Sequence, residues 1–398
     1  MLRHLMKLIW KRKTRNIMLT LEILLAFLVL FAIAAFGVRS YELYNLPTGF
    51  AWRDQWAVRI RATDLKNDAA LFDQYKRALL ALPEVEKVAF TSFPNYTMSR
   101  WSGDYALPDG SHRLQVDILS VTDDYFATMD MHLLAGRWFS SMDDGAETTP
   151  VVINRRLAEK LFPGKSAVDQ VYVESNDLSK TAPQRYRVTG VIDAFRSQGE
   201  YMDPHPFMLP RTVPGVGAEA LPTIVLKLKP GTPRAFESRL SATLKQVRGD
   251  WAYTITPQAE SRKALLRQQL LPLIILSVIA AFLLVMVAFG LFGVLWQNTT
   301  QRIPEIGLRR ALGASATHIY RQIIAEQLLL SSGAMLIALV LLIQLPLTGV
   351  FGESLNWPVF VTAMALSAAV IYLLSLLCSL YPGWRAARLS PTQALHYE

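Results

Sequence analysis

The chain has a single cysteine, Cys378, among 398 residues. That excludes an intrachain disulfide framework and a cysteine-based zinc cluster. Charge is scarce too: 18% of residues are Asp, Glu, Lys or Arg, 52% are hydrophobic, and mean hydropathy is +0.23. A soluble globular chain carries about 25% charged residues, so this balance points to a membrane protein. Signatures of catalysis are missing as well. No H-E-x-x-H or G-x-S-x-G string occurs, and the six histidines (His4, His112, His132, His205, His318, His396) are scattered along the chain. The string nearest a Walker A loop, Glu159 to Ser166, lacks the first glycine that such a phosphate cradle needs. The expectation is a chain with no catalytic residues, no metal ligands and no cofactor of its own.

What is present is hydrophobic length. Ile17 to Gly37, Leu270 to Trp296, Ile323 to Leu345 and Pro358 to Tyr381 each exceed the roughly 20 apolar residues that cross a bilayer core. Hydrocarbon offers backbone groups no water, so such runs are expected as four transmembrane helices. Basic residues fix their direction. The first 16 residues hold six Lys or Arg, residues 297–322 hold four and residues 382–398 hold two, whereas the loop 346–357 holds none. Positive-inside bias therefore predicts both termini and the 297–322 loop in the cytoplasm, with 38–269 and 346–357 outside. The cytoplasmic segments carry a net +10, which leaves 29 bases and 30 acids elsewhere. The overall charge of +9 is thus topological, and a nucleic-acid partner has no support.

Two features of the helices need a reading. Ala32-Ile33-Ala34 mimics a signal cleavage site, but the apolar run is longer than a signal h-region, so an uncleaved anchor is expected. Residues 1–16, with apolar positions at helical spacing among cations, are expected as an amphipathic helix on the inner membrane face. Glu22 and Glu326 fall near the cytoplasmic ends of the first and third spans. Pairing with interfacial cations such as Arg15 or Arg321, or a hydrogen bond to a neighbouring helix, is the expectation, in preference to a proton relay.

Residues 38–269 are long enough for one or two folded domains. Near the start, strand-like 57–61, a helical period over 69–83 and strand-like 85–92 form a β-α-β pattern, and 223–229, 233–247 and 251–257 repeat it near the end. Two such units predict one ferredoxin-like α+β subdomain split by an insertion of about 95–220. The insertion, with short alternating runs at 113–121, 151–154 and 185–192, is expected to be mainly β. Its five-proline stretch from Pro204 to Pro222 is expected to be irregular. Asn95-Tyr96-Thr97 matches a glycosylation sequon, a pattern frequent by chance. No strong breaker separates Pro257 from Pro272, so the second membrane helix is expected to begin near Gln258 as a stalk.

Between the second and third spans the chain reads QRIPEIGLRRALGASATHIYRQIIAEQ over 301–327. Pro304 suits a first helical turn, Glu305 suits its positive end, and Gly313-Ala314-Ser315 interrupts the helix. This loop resembles that of the FtsX/MacB superfamily of ABC-transporter permeases. The resemblance extends to 124–140, 151–164 and 186–192, which look like the family's MacB-type periplasmic domain. It reaches the tail, YPGWRAARLSPTQALHYE over 381–398, where Gly383, Trp384 and His396 depart from the usual ending. The order of one helix, a large outer domain and three helices also agrees.

The resemblance implies a non-catalytic permease subunit of the bacterial inner membrane. It would pair with a second permease copy and with separate ATPase subunits, which bind ATP and Mg. Glu305, Gly307, Arg309, Arg310, Gly313 and Ala314 would form the segment that meets the ATPase. Only 16 residues precede the first span, so the ATPase is expected on another polypeptide. Export of a drug, peptide or lipid-like substrate, with a periplasmic adaptor and an outer-membrane channel as further partners, is the leading expectation. Lipoprotein release of the LolC/LolE kind, or FtsX-like control of a cell-wall hydrolase, are the alternatives. A sensor receptor is disfavoured because no cytoplasmic segment exceeds about 30 residues, too short for a signalling domain.

Overall fold

The computed structural model describes residues 13–175, 183–217 and 219–388. The amphipathic segment expected over 1–16 lies outside them except for residues 13–16, and so does the tail from 389 to 398. Within the described residues, four helices are long and apolar enough to cross a membrane, over Ile17–Asn45, Gln258–Gln301, Ala316–Thr348 and Trp357–Ala386. Contacts divide the chain into an α+β unit, Leu43–Gln269, and a helical unit made of residues 1–42 and 270–398.

The first helix, α1, runs over Lys13–Asn45. In the α+β unit, β1 (Gln55–Arg61), α2 (Ala69–Leu80) and β2 (Val85–Thr91) come first. Asp68 starts α2 by accepting a hydrogen bond from Ala70 N at 2.9 Å. Next come β3 (Trp101–Ala106), β4 (Leu114–Ile118), a single turn α3 (Tyr125–Thr128) and β5 (Leu133–Gly136). They are followed by β6 (Thr149–Asn154), α4 (Arg155–Leu161), β7 (Val171–Glu174), β8 (Arg185–Ile192) and β9 (Phe207–Pro210). Then β10 (Thr223–Leu228), α5 (Phe236–Val247) and β11 (Ala252–Pro257) close the unit. Helix α6 starts at the next residue and runs without a break over Gln258–Gln301, with Pro272 inside it.

Strands β11-β1-β10-β2 form one antiparallel sheet in that order. This is the split β-α-β arrangement of a ferredoxin-like fold, with α2 and α5 giving Phe72, Leu79, Leu240 and Leu244 to a core that also holds Val58, Ile224 and Leu226. Burying each such side chain stabilises by about 1.5–3 kcal/mol. The insertion leaves after Thr91 and returns at Thr223, two residues paired across β2 and β10. It therefore stands where a hairpin turn would, and the sheet needs no rearrangement to hold it.

The inserted subdomain is mainly β. Its strands follow the order β5-β8-β6-β9-β4-β3-β7, and β8 also pairs with β7. Six strands thus close into a hydrogen-bonded ring, which leaves few free edges. Tyr105, Tyr172 and Tyr186 pack edge-on and stacked within its core, with ring centroids 5.6–5.8 Å apart. The stretch expected to be irregular contains β9. Phe207, Met208 and Leu209 are buried, and the carbonyls of Pro206 and Pro210 accept from Asp117 N and Val121 N. Proline lacks a donor but keeps its acceptor, so prolines beside a strand are compatible with pairing. Asn95 of the sequon is buried, and its amide donates to Tyr125 Oη at 3.0 Å. That position is closed to glycosylation.

Downstream lie α7 (Ile303–Ala311), α8 (Ala316–Leu342), α9 (Gln344–Thr348) and α10 (Trp357–Arg388). Ala334, Ala338 and Ala363 are fully buried in the core of the helical unit, small residues that let helix backbones approach. Ser331 and Ser375 hydrogen-bond across the seam between α8 and α10 at 2.7 Å. Glu22 of α1 lies against α6: a Cβ at Gly290 would sit 2.3 Å from its Oε1, so a side chain there would displace the carboxylate.

One polar node anchors the inserted subdomain. Asp143 accepts both Arg137 Nη atoms at 2.6 and 2.7 Å, Arg187 at 3.1 Å and Ser140 N at 3.1 Å. Hydrogen bonding from Arg137 holds its carboxyl below the usual carboxylate range. A depressed folded pKa adds stability above the unfolded value, about 3.9 for Asp, that is lost as pH falls through the folded pKa. Asp143→Asn should cost about 1–3 kcal/mol at neutral pH. Thermal unfolding against pH should also show a smaller loss of midpoint below pH ~4 than in the parent.

Candidate functional site

Helix α7 has two faces. Ile303, Ile306 and Gly307 are buried, while Pro304, Glu305 and Leu308 are exposed, as is Leu312 just past the helix end, the two leucines at 58% and 80%. Ile306 packs with Ile319 at the start of α8 and Ala386 near the end of α10. The helix therefore rests on its neighbours through isoleucines and presents leucines outward.

A chain of charged and amide groups fixes α7 against α8. Arg309 Nη2 pairs with Glu305 Oε1 at 2.5 Å, one turn back, and Arg309 Nη1 donates to Gln322 Oε1 at 3.1 Å. Gln322 Nε2 donates to Glu326 Oε1 at 3.0 Å, and Glu326 Oε2 receives Arg302 Nη1 at 2.6 Å. Glu326 and Arg302 are only 15% and 16% exposed at the side chain, so this pair is far better shielded than Glu305 and Arg309. Arg302 is the cation that meets Glu326, where Arg321 was the expected partner. Residue 321 is one position before Gln322, and on a helix only positions three or four apart share a face, so Gln322 meets Glu326 and Arg321 does not.

The exit from α7 is set by backbone conformation. Gly313 has φ +95°, a region costly for any residue with a Cβ, and Ala314 N bonds Arg309 O at 2.9 Å. Together these make the six-to-one closure of a Schellman end. Ser315 then starts α8, its hydroxyl accepting from His318 N at 3.3 Å.

Of the expected coupling residues, the structure thus joins Glu305 to Arg309, buries Gly307, and places Gly313 and Ala314 at the helix end. Arg310 lies on α7, with its side chain outside the described residues. Sequence reasoning missed Arg302 and Gln322. It also missed Leu308 and Leu312, whose signal was an apolar residue on each side of the arginine pair.

Comparison with known proteins bears on the same segment. The MacB-like periplasmic core domain model matches residues 17–243, and the FtsX-like permease C-terminal model matches residues 277–391. The chain belongs to the MacB-like permease family. It is similar to the macrolide export ATP-binding/permease protein MacB of Nitrobacter winogradskyi, with 26% identity over 294 residues, covering 72% of this chain and 44% of that protein. With the protein of the same name from Agrobacterium fabrum, identity is 25% over 406 residues, covering 97% of this chain and 59% of that protein. The chain thus spans about half the length of the curated relatives it matches. Among solved structures, the periplasmic region of MacB from Actinobacillus actinomycetemcomitans aligns with TM-score 0.39 and 13% identity, covering 56% of this chain and 97% of that one. Within this family of ABC-transporter permeases, α7 lies inside the FtsX-like part, and the MacB-like part covers the α+β unit as far as residue 243.

The ion pair on α7 and the one beside its start should differ in weight. Glu326→Ala removes the acceptor of both Arg302 and Gln322, and should loosen α7 by about 1.5–3 kcal/mol. Glu305→Ala breaks an exposed pair one turn apart and should cost about 0.3–0.5 kcal/mol. Hydrogen exchange over residues 303–311 of the reconstituted chain reads both. Equal acceleration in the two variants would refute the ranking.

Proposed function

We propose that this chain is a permease subunit that transmits ATP hydrolysis, carried out by a separate ATPase subunit, to conformational change in its α+β unit. The observation that carries the reading is α7: a short helix locked by Arg302, Gln322 and Glu326 on one side and exposing Leu308 and Leu312 on the other. Such a helix resists rotation in its own seat while offering an apolar surface to a soluble partner. Family membership supports an ABC ATPase as that partner. Glu305, Gly307, Arg309, Arg310, Gly313 and Ala314 belong to this coupling segment, with Leu308 and Leu312 added as its contact surface.

The arrangement is a pair of permeases in the bacterial inner membrane, identical or related, with both termini and α7 in the cytoplasm and the α+β unit in the periplasm. The distribution of basic residues supports that orientation. The macrolide export proteins it resembles support an export role; in this reading the substrate is a drug, a peptide or a lipid-like molecule, passed to an adaptor and outer-membrane channel. ATP and Mg belong to the ATPase in this scheme, and the permease supplies no catalytic group.

Two experiments test the proposal. Leu308→Asp with Leu312→Asp, and separately Arg309→Glu with Arg310→Glu, should leave membrane insertion intact while weakening ATPase co-purification or uncoupling hydrolysis from transport. Loss of an apolar contact of this size corresponds to about 1.5–3 kcal/mol per leucine. Full assembly and transport by both double variants would remove α7 as the coupling element. In a Cys378→Ser background, Lys165→Cys should react with an impermeant reagent in outer-membrane-permeabilised cells and Arg309→Cys should not. Protection of Lys165→Cys would reverse the orientation.

A further inference from the structure

Two segments of the α+β unit continue directly into membrane helices: residues 43–50, which are the last turn of α1 and the chain just after it, and the first turns of α6. One short loop, residues 195–202, holds both. Arg196 is 1% exposed, and its Nε donates to Pro47 O at 3.0 Å. Its Nη1 donates to Leu43 O at 3.0 Å, Glu200 O at 2.7 Å and Met202 O at 3.3 Å, and its Nη2 donates to Leu46 O. A planar guanidinium carries five N–H donors spread over three nitrogens in a fixed fork, whereas an ammonium has three on one nitrogen. The backbone joins in, since Arg196 N bonds Thr48 O at 2.9 Å. Gly49, at φ +91°, lies so close to the loop that an added Cβ would stand 1.8 Å from Ala194 O.

The same loop grips α6. Glu200, 7% exposed, takes Arg262 Nε at 2.5 Å and the Tyr96 hydroxyl at 3.4 Å. Arg262 lies on α6 ten residues before Pro272, and its guanidinium sits 4.5 Å over the Trp52 ring. Tyr44 and Tyr201 bring the two sides together again, with ring centroids 6.0 Å apart. The loop is shaped for this contact: at Gly199, φ +88°, a Cβ would lie 2.5 Å from the Tyr96 ring.

We propose that the 195–202 loop is the latch through which movement of α6 reaches the inserted β subdomain, with Arg196, Glu200 and Arg262 as its positioning residues. Arg196 binds the segment after α1 to the loop, and Glu200 binds α6 to the same loop. Displacement of α6 is then passed to the loop and, through β8 and β9 on either side of it, into the closed ring of strands. The inference rests on the reading of this chain as an ATP-driven coupler, and it adds where in the α+β unit the force enters.

The test uses the permease with its ATPase in lipid nanodiscs. Spin labels at Lys160→Cys on α4 and Lys245→Cys on α5, in a Cys378→Ser background, report the distance between the β subdomain and the ferredoxin-like subdomain with and without ATP. The unmodified latch should show an ATP-dependent change in the distance distribution. Arg262→Gln should reduce that population shift roughly tenfold, the weight of one charge-assisted hydrogen bond. Hydrolysis should continue, the variant should remain folded, and Arg262→Lys should recover part of the shift. Arg196→Lys should act in the same direction from the other side of the loop. A full shift in both Arg262→Gln and Arg196→Lys overturns the latch and leaves the coupling reading standing. Absence of any ATP-dependent change with the latch intact, while ATP is hydrolysed, overturns the coupling reading and the latch with it.

Discussion

A peptide group placed in hydrocarbon has no water to bond, and a bare N–H or C=O there costs several kcal/mol. The four apolar runs answer that constraint by closing every possible hydrogen bond within helices, and much else in the fold follows. The helices extend beyond their apolar cores, α1 to Asn45 and α6 back to Gln258, because nothing in the adjoining sequence breaks them. Pro272 removes one donor from α6 without ending it. The seam between α8 and α10 obeys the same rule for side chains, with Ser331 and Ser375 satisfying each other where no water is available. Such a scaffold tolerates few buried charges, and Glu326 is accommodated because Arg302 and Gln322 complete its bonding.

The α+β unit solves a different problem, that of holding a large insertion without losing its own fold. Strands β2 and β10 are neighbours whose ends pair at Thr91 and Thr223. An insertion at that point leaves and re-enters through adjacent positions, so its size does not disturb the four-stranded sheet. The inserted strands close on themselves through β7 and β8. The two parts are then joined by side chains: Lys227 meets Asp130 at 2.6 and 2.7 Å, Lys87 reaches Ala127 O at 2.9 Å and Gln55 reaches Thr128 O at 2.7 Å. All of these target the turn α3 and its flanks. One surface of the ferredoxin-like sheet thereby seats a single turn of the β subdomain.

The parts legible in the sequence were those governed by local periodicity. Apolar length gave the four helices, the two flanking β-α-β patterns gave the split ferredoxin-like subdomain, and Gly313 with Ser315 marked the break after α7. What escaped was non-local. The strand β9 was hidden because its prolines read as breakers, whereas strand formation there depends on partners in β4 and β6, many residues away. The closing pair β7–β8 spans residues 176–182, and no alternation within either strand announces it. Arg196 looks like any surface arginine in its local sequence. Its burial is decided by residues 43–48, about 150 positions earlier.

The charges on α7 show why a motif can be read correctly in place and differently in role. The arginine pair invites the view that both guanidiniums await an acidic partner. Arg309 is already committed to Glu305 and Gln322, so a partner that claimed it would first have to displace those bonds. Exposed apolar area carries no such opposing cost: covering Leu308 and Leu312 releases water and breaks no hydrogen bond. In the proposed coupling, the leucines therefore supply the favourable contact. The charged chain from Glu305 through Arg309, Gln322 and Glu326 to Arg302 fixes the direction in which that contact pushes. A lever needs both, because a surface that binds strongly on a loose helix would turn the helix in place and pass nothing on.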